Sequence, residues 1–444
     1  MGTLCHQGLL VPLDPELKKE LTVRANLNAL GFAPPSFKVF RIVSGELAVP
    51  RYYGLSKFGP AAKDSRQSPV RADACFTGTL RTETSQNKAF EAGLKAFETV
   101  GGGVLSLPCG YGKTCTALAF ASHLKLRTII IVHKEFLVDQ WTEAIHKFCP
   151  GATIGKIQQD VFDVEKDFVL AMIQTMCTRE LPSLHTFGLV IVDEAHHIGA
   201  AAFSQAMFKL CPKYTLGLTA TPERKDGLTR ILYWFLGPQF FAVERKNQSK
   251  TKVEIVMFSD SLYKCAPPMN KFGKVNMADM VTQISELKSR NELILKLIQK
   301  NLKKDRKIIV LCDRREQCFY LKNQFPNEIG GVYLGQMTDS DLSESAKKPL
   351  VIATFAMAAE GLDIPQLDTC ILASPHSDVT QAVGRIMRET VGKIHSPLIY
   401  DIVDKWSMFY AMYKKRCTFY KKSGFEFENK LEEKQKVLEE CAFI

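Results

Sequence analysis

The sequence predicts an α/β protein with two tandem parallel-sheet lobes, a small N-terminal accessory domain and C-terminal helices. Between about residues 100 and 403, short β-branched runs alternate with helix-length amphipathic segments, a pattern typical of parallel strands covered by helices. The length of 444 residues suggests about three domains, at roughly 150 residues each. Hydrophobic residues make up 46% of the chain without a biased repeat, so each domain can bury its own core.

The apolar runs fall into two sets, and each set is expected to form one sheet. The first set is Val104–Leu107, Thr128–His133, Phe168–Ile173, Leu189–Asp193 and Thr215–Ala220, and the second is Lys307–Cys312, Val332–Leu334, Leu350–Thr354, Thr369–Ala373 and Leu398–Val403. The stretch between them contains Gly237-Pro238 and Pro267-Pro268, which favours a linker with a small insertion. We therefore expect the first lobe over residues 80–245, the linker over 246–300 and the second lobe over 301–410.

The two ends of the chain differ from the lobes. Residues 1–79 are richer in Pro, Gly and aromatic residues and show less periodicity, which favours a small accessory domain. Residues 411–444 end in Lys430–Glu440, where Glu and Lys interleave on a helix-forming stretch. We expect one or two terminal helices there.

Composition narrows the classes of protein that the chain can represent. No apolar stretch approaches the roughly 20 residues that a membrane span needs. The N-terminus lacks a secretory signal pattern, and the 13 cysteines are scattered without C-x-x-C spacing, so we expect free thiols in a reducing, intracellular compartment. The net charge of +11 favours a phosphate-bearing polymer as partner, although many basic proteins bind no nucleic acid.

A glycine-rich segment follows the first run and opens a helical stretch. Glycines let backbone amides curl around a phosphate, a lysine reaches the β- and γ-phosphates, and a hydroxyl can ligate Mg²⁺. Leu107 stands where the full P-loop pattern has its first Gly, so a structural Gly-rich turn is the alternative. The nucleotide-binding residues predicted here are Pro108, Cys109, Gly110, Tyr111, Gly112, Lys113 and Thr114.

An acidic pair ends the apolar run Leu189–Val192. Asp193 can hold the Mg²⁺ shell together with Thr114, and Glu194 can deprotonate the attacking water. An acidic helix cap is the alternative reading of this pair. His196 and His197 suggest a metal, but no third His or Cys lies at zinc-ligand spacing.

Two further segments carry polar residues after apolar runs. Thr219 and Thr221 place hydroxyls where neighbouring strands would carry the P-loop and the acidic pair, unless they only form a Thr-rich strand exit. In the second lobe, Arg385 and Arg388 lie three residues apart on one predicted helix face, with Gly384 beside them. Arginines brought from a second lobe can stabilise charge on a transferring phosphoryl group; a solvated basic face is the alternative.

Taken in order, these segments resemble the motifs of the superfamily 2 helicases over about residues 80–403. The matching residues are Gly110, Gly112, Lys113 and Thr114 for motif I, Asp193 to His196 for motif II, which reads as a DEAH box, Thr219 to Thr221 for motif III, and Gln381, Gly384, Arg385 and Arg388 for motif VI. The resemblance implies two RecA-like lobes, with ATP and Mg²⁺ as cofactors.

The resemblance also implies roles for residues that composition and spacing do not single out. Gly361 and Asp363, in the segment Glu360–Pro365 that resembles motif V, would link the nucleic acid to the nucleotide. The segment Ile131–Trp141 resembles motif Ia, which contacts the nucleic-acid backbone. Gln86 would read the adenine, and Gln381 would also contact the nucleotide.

Within the superfamily, Gly217–Gly227 and Tyr233–Pro238 resemble the XPB-like group, and Val49–Gly54 resembles its large-DNA-virus members. That group also includes poxvirus-type transcription helicases and a phage recombination helicase. The resemblance implies an ATP-dependent DNA helicase or translocase, of 3′-to-5′ direction, acting in transcription, repair or recombination. The alternatives are an ATP-driven factor that remodels RNA or nucleoprotein, for example by transcript release, and a non-hydrolysing nucleic-acid clamp.

The expected partners follow from the same resemblance. DNA is favoured over RNA, transcription or replication proteins are further partners, and no membrane is involved. The sequence does not distinguish among host cytoplasm, viral factory, virion and nucleus.

Overall fold

The computed structural model describes residues 2–26, 34–82, 85–108, 110–181, 183–196, 198, 200–220, 226–243, 251–271, 273–360, 364–386 and 394–427. For Asp339, Ala359, Glu360, Gln381, Arg385 and Ile386 it describes the backbone only. The chain divides into two compact units, Met1–Glu244 and Arg245–Ile444. Among the described helices, none is long and apolar enough to cross a membrane.

The first unit begins with a small module of strands and two helices. Its elements are β1 (Thr3–Cys5), β2 (Gly8–Val11), α1 (Pro15–Glu20), β3 (Thr22–Val23), β4 (Phe37–Lys38), β5 (Arg41–Val43), β6 (Glu46–Val49), α2 (Arg51–Phe58) and β7 (Lys63–Asp64). The main sheet of this module has the order β5-β6-β2-β1-β7. A buried hydrogen bond of 2.7 Å between the hydroxyls of Tyr52 and Thr215 joins the module to the sheet that follows.

The rest of the first unit is a parallel sheet covered by helices. Its elements are α3 (Gln86–Thr99), β8 (Gly102–Ser106), α4 (Lys113–Leu124), β9 (Thr128–Val132), α5 (Glu135–Phe148), β10 (Ile154–Gln158), β11 (Val161–Phe162), β12 (Phe168–Met172), α6 (Ile173–Thr178), β13 (Leu189–Val192), α7 (Ala200–Met207), β14 (Tyr214–Thr219), α8 (Thr229–Leu236) and β15 (Gln239–Ala242). The order is β11-β10-β12-β9-β13-β14-β8-β15, and only β11 pairs antiparallel among these described strands.

The central strands are buried on both faces, which explains their unbroken apolar sequences. Along β9, Ile129 and Ile131 pack into one core cluster, whereas Ile130 and Val132 pack into the cluster on the opposite face. All five residues of this strand are buried. The sheet therefore forms a rigid support for the residues that follow its carboxyl ends.

The second unit contains a second parallel sheet. Its elements are β16 (Lys252–Phe258), a 3-10 turn (Ser261–Lys264), α9 (Met277–Glu286), α10 (Lys288–Leu302), β17 (Ile308–Cys312), α11 (Arg315–Lys322), β18 (Gly330–Tyr333), α12 (Asp339–Lys347), β19 (Leu350–Thr354), α13 (Phe355–Glu360), β20 (Thr369–Leu372), α14 (Thr380–Ile386), β21 (Leu398–Asp404), α15 (Met408–Lys422) and β22 (Glu426–Phe427). The order is β18-β19-β17-β20-β21-β16-β22, with every described pair parallel. The predicted α/β fold with parallel-sheet lobes is confirmed.

The segment expected to be a linker, residues 246–300, differs from that expectation. Strand β16 lies inside it and pairs with β21 along its whole length, from Lys252 opposite Leu398 to Phe258 opposite Asp404. Helix α9 and all but the last two residues of helix α10 also fall in this range. The strand escapes sequence analysis because only Val253 in it is fully buried, so charged residues such as Glu254 interrupt the apolar pattern.

Candidate active site

The order of the strands brings the predicted site residues of the first unit to one edge of its sheet. β13 lies between β9 and β14, and β8 follows β14. All four strands are parallel, so their carboxyl ends meet at the same edge. Lys134 follows β9, the acidic pair follows β13, and the glycine-rich segment follows β8.

The glycine-rich segment bends sharply before helix α4. Gly110 and Gly112 have φ angles of 85° and 76°, in the left-handed region that favours glycine. Gly112 is the N-cap of α4, and Lys113 and Thr114 are its first two residues. The amides of the first helical turn therefore face the space beyond the sheet edge, as an anion site requires. Cys109 lies outside the described residues.

Lys113 and Glu194 form an ion pair across this edge. Their Nζ and Oε1 atoms are 3.0 Å apart, and the side chains are 10% and 20% exposed. Glu194 has a φ of 44°, a left-handed conformation that is strained for a residue with a side chain. The predicted phosphate-binding cation and the predicted base are thus already in contact.

Asp193 is far more buried than its neighbour, with 7% of its surface exposed. Its Oδ1 accepts a hydrogen bond of 3.0 Å from the amide of Glu194, and its Oδ2 accepts one of 2.9 Å from the Trp141 indole. Burial, reinforced by the charge of Glu194, raises the pKa of Asp193 to about 6, whereas Lys113 and the Trp141 hydrogen bond act in the opposite direction.

The residues after β14 contact the acidic segment. The hydroxyl of Thr219 lies 2.8 Å from Nδ1 of His196, and this nitrogen lies 3.5 Å from Oε2 of Glu194. A chain of polar contacts therefore runs from β14 to the residue that would activate water. Thr221 and His197 lie outside the described residues.

Comparisons with known proteins fit this geometry. The model of the type III restriction enzyme res subunit matches residues 79–224, and that of the helicase conserved C-terminal domain matches residues 289–390. A protein of Acanthamoeba polyphaga mimivirus, named as an ATP-dependent RNA helicase, is 33% identical over 432 residues, covering 93% of this chain and 82% of the relative. The chain belongs to the superfamily 2 helicases. It is therefore an ATP-hydrolysing enzyme, as its sequence predicted, and the clamp alternative is set aside.

Other relatives of this helicase are also viral. A transcript termination protein of Yaba monkey tumor virus is 25% identical over 329 residues, covering 67% of this chain and 66% of the relative. The solved structure of the ATP-dependent type ISP restriction-modification enzyme LlaBIII bound to DNA aligns with a TM-score of 0.55 at 17% identity, covering 78% of this chain and 30% of that one. This last likeness supports the fold.

In the helicase, Gln86 lies against the glycine-rich segment. It is the first residue of α3 and only 4% exposed. Its Nε2 donates to the carbonyl of Tyr111 at 2.9 Å, and its Oε1 accepts from the amide of Arg81 at 2.8 Å. A Cβ on Gly112 would lie 2.1 Å from that Nε2. Gln86 therefore holds the glycine-rich segment in place; its predicted contact with adenine stays a prediction.

The site residues predicted in the second unit are only partly described. Gln381 and Arg385 lie on helix α14, and only the backbone of these two residues is described. Gly361, Asp363 and Arg388 lie outside the described residues. Their roles remain those that the family resemblance implies.

In this helicase, the contact made by Trp141 is not predicted from the sequence. Its segment resembles one that contacts nucleic acid, yet Trp141 is 1% exposed and donates a hydrogen bond to Asp193. A buried indole N–H needs an acceptor, which was the available signal. The partner was not evident because the two residues are 52 positions apart.

The described residues fit the Mg²⁺ ion that ATP usually carries. Asp193 offers a carboxylate and Thr114 a half-buried hydroxyl, and oxygen is the donor that this ion prefers. Among the described residues, no group of three or more His, Cys, Asp or Glu could hold a metal.

Proposed function

We propose that this helicase couples ATP hydrolysis at the carboxyl edge of the first sheet to 3′-to-5′ movement along DNA, in transcription, repair or recombination of a large DNA virus. The observation that carries the proposal is the contact between Lys113 and Glu194 beside the buried Asp193. A cation for the phosphates, a base for water and a carboxylate for the metal lie together. Phosphoanhydride hydrolysis requires these three groups.

Each residue of the site has a separate role in the proposed hydrolysis of ATP. When ATP binds, Lys113 would transfer its contact from Glu194 to the β- and γ-phosphates, which frees the Glu194 carboxylate to orient and deprotonate water. Mg²⁺, held by Asp193 and Thr114, would neutralise charge on the phosphate oxygens. Arg385 and Arg388 would stabilise the charge that develops on the transferring phosphoryl group. The His196–Thr219 contact would pass the state of Glu194 to β14.

The proposal of DNA as the track rests on charge and on the family group. A net charge of +11 favours a polyphosphate, and contacts with phosphates alone would make binding independent of sequence and sensitive to salt. No segment of the sequence resembles a base-reading helix or zinc finger.

The test measures ATP turnover without nucleic acid and with single-stranded DNA, duplex DNA or RNA, with Lys113→Ala as the inactive control. We expect DNA to raise kcat more than RNA does. Displacement of a block from the 5′ end of the track, but not from its 3′ end, would establish the direction. Equal rates of ATP turnover with every nucleic acid would contradict a translocase whose turnover is stimulated by the strand along which it moves.

A second candidate is ATP-driven release or remodelling of RNA. The names of two relatives favour it, since one is called an RNA helicase and the other a transcript termination protein. It predicts that RNA, or a stalled transcription complex, stimulates turnover more than bare DNA does. The same panel, with a stalled transcription complex added, therefore separates the two functions.

A further inference from the structure

The contact between Trp141 and Asp193 has a definite chemical direction. An indole N–H only donates, so Asp193 must accept with Oδ2, while Oδ1 accepts from the Glu194 amide. Donors from two different elements thus fix the plane of one carboxylate. Each of its oxygens retains a lone pair with which it can bind a cation.

Helix α5, which carries Trp141, is held firmly in the core. Leu137, Val138 and Ile145 of this helix are buried in the same cluster as Trp141. A close-packed helix of this kind moves as a body rather than bending at one side chain. A shift at one end of α5 would therefore reach the indole.

The N-terminal end of α5 lies within the segment Ile131–Trp141, whose resemblance to motif Ia implies contact with the nucleic-acid backbone. Lys134 is the N-cap, and Trp141 lies seven residues further on, about 10 Å along the axis at 1.5 Å per residue. The carbonyl of His133 accepts a hydrogen bond of 2.9 Å from Gln174, and Glu135 accepts one of 2.8 Å from Gln158. These contacts tie the end of the helix to β10 and α6, at the same edge of the sheet.

We propose that Trp141 is a positioning residue that holds the Asp193 carboxylate for the metal, and that it transmits the occupancy of the strand-binding segment at the start of α5 to that carboxylate. The inference rests on the proposed function. It adds a physical connection, through one rigid helix, between the nucleic acid and the metal of the nucleotide. Trp141 need touch neither ligand.

The test compares Trp141→Phe with the matched variant Trp234→Phe. Trp234 lies in the same unit, packs edge-on against Tyr53 with ring centroids 5.0 Å apart, and makes no N–H hydrogen bond among the described residues. Mn²⁺ binding is measured by electron paramagnetic resonance with a non-hydrolysable ATP analogue, which requires no turnover. We expect Trp141→Phe to weaken Mn²⁺ binding about tenfold, as loss of a hydrogen bond to a metal ligand does, and Trp234→Phe to leave it within about twofold.

Adding a single-stranded DNA oligonucleotide tests the transmission. The oligonucleotide should change Mn²⁺ affinity in the wild type if the start of α5 is coupled to the metal site, and should change it much less in Trp141→Phe. Unchanged Mn²⁺ affinity in Trp141→Phe would overturn the positioning role. Weakened affinity with an undiminished oligonucleotide effect would overturn the transmission.

A second variant tests the same role if Trp141→Phe does not fold. 3-Benzothienylalanine at position 141 keeps the shape of the ring system and replaces the N–H group with sulfur. If Trp141→Phe fails to fold, normal Mn²⁺ binding by this variant would overturn the inference, and a tenfold loss would support it. Wild-type protein without metal-dependent ATP turnover would instead contradict the proposed function.

Discussion

Two consecutive carboxylates at the site have different environments, and these environments suit different tasks. Asp193 is buried and accepts hydrogen bonds from two donors, which suits a fixed metal ligand. Glu194 is more exposed and contacts a lysine whose flexible side chain can leave it. The sequence Asp-Glu alone does not separate these roles; the surrounding residues do.

Glu194→Gln should abolish turnover while ATP binding stays at wild-type strength or becomes tighter. The amide keeps the shape of the side chain but loses its basicity, and it no longer competes as an anion for Lys113. Nucleotide affinity from equilibrium titration, together with single-turnover hydrolysis, checks this expectation. A collapse of affinity along with the rate would show that Glu194 acts in binding rather than in water activation.

The raised pKa of Asp193 predicts that metal binding depends on pH. Protonation removes the charge that binds the ion, so metal affinity should fall as the pH drops below about 6, the pKa of Asp193 in the metal-free protein. Lys113→Ala should move this loss to higher pH, because the lysine charge lowers that pKa. Titrations of Mn²⁺ with nucleotide between about pH 5 and pH 8 test both points. An Asp193→Asn variant should show weak binding throughout, and a flat profile in the wild type would contradict the assignment.

At the scale of elements, strand β21 connects two helices through buried ion pairs. Asp404 accepts from Arg290 of α10 at 2.8 Å with both oxygens, and Asp401 accepts from Arg416 of α15 at 2.7 and 2.9 Å. Both carboxylates are almost fully buried. These pairs fix the positions of α10 and α15 against the sheet.

Asp404→Asn should lower the free energy of unfolding of the second unit by about 3–5 kcal/mol, because it leaves the Arg290 charge buried without a carboxylate. Glu344→Gln is a suitable control, since it removes a carboxylate that is 71% exposed and pairs with Lys348. That control should change stability by about 0.5 kcal/mol or less. Chemical denaturation of the full chain measures both variants, and equal midpoints would contradict a stabilising role for the buried pair.

The elements that could be predicted from the sequence are those whose residues are apolar because they are buried. Leu350–Thr354 is a strand with the bounds expected, because its first four residues are apolar and buried. Strand β16 was missed, since its partly exposed residues break that pattern. At the site, Lys113, Asp193 and Glu194 could be recognised because local motifs carry them. The Trp141 contact could not, because it depends on how a distant helix packs on the sheet.

At the scale of the whole molecule, the proposed motor needs residues from both compact units in one cycle of ATP turnover. The P-loop and the acidic pair predicted from the sequence fall in one matched domain, and the predicted arginine motif falls in the other. A variant in the second unit should therefore change the chemistry carried out in the first. Any ATPase confined to a single unit would lack this dependence.

Arg385→Ala should bind ATP within a few-fold of the wild type in the absence of DNA, yet lose most of the DNA-stimulated rate. We expect a loss of about 10³-fold, because such an arginine acts mainly in the transition state. A solvated basic face predicts the opposite: weaker DNA binding, a shallower dependence on salt and a nearly normal kcat. Measuring kcat at saturating DNA, together with DNA affinity at two salt concentrations, distinguishes the two.

The left-handed backbone of Glu194 implies a conflict between thermal stability and activity. At a φ of 44°, a residue with a side chain destabilises the folded state by about 1 kcal/mol relative to glycine. Glu194→Gly should therefore be more stable than Glu194→Ala by about that amount, the reverse of the usual order for these two residues, as thermal unfolding can show. Neither variant can hydrolyse ATP if Glu194 is the base. The native chain thus gives up some thermal tolerance at this position to keep a working carboxylate.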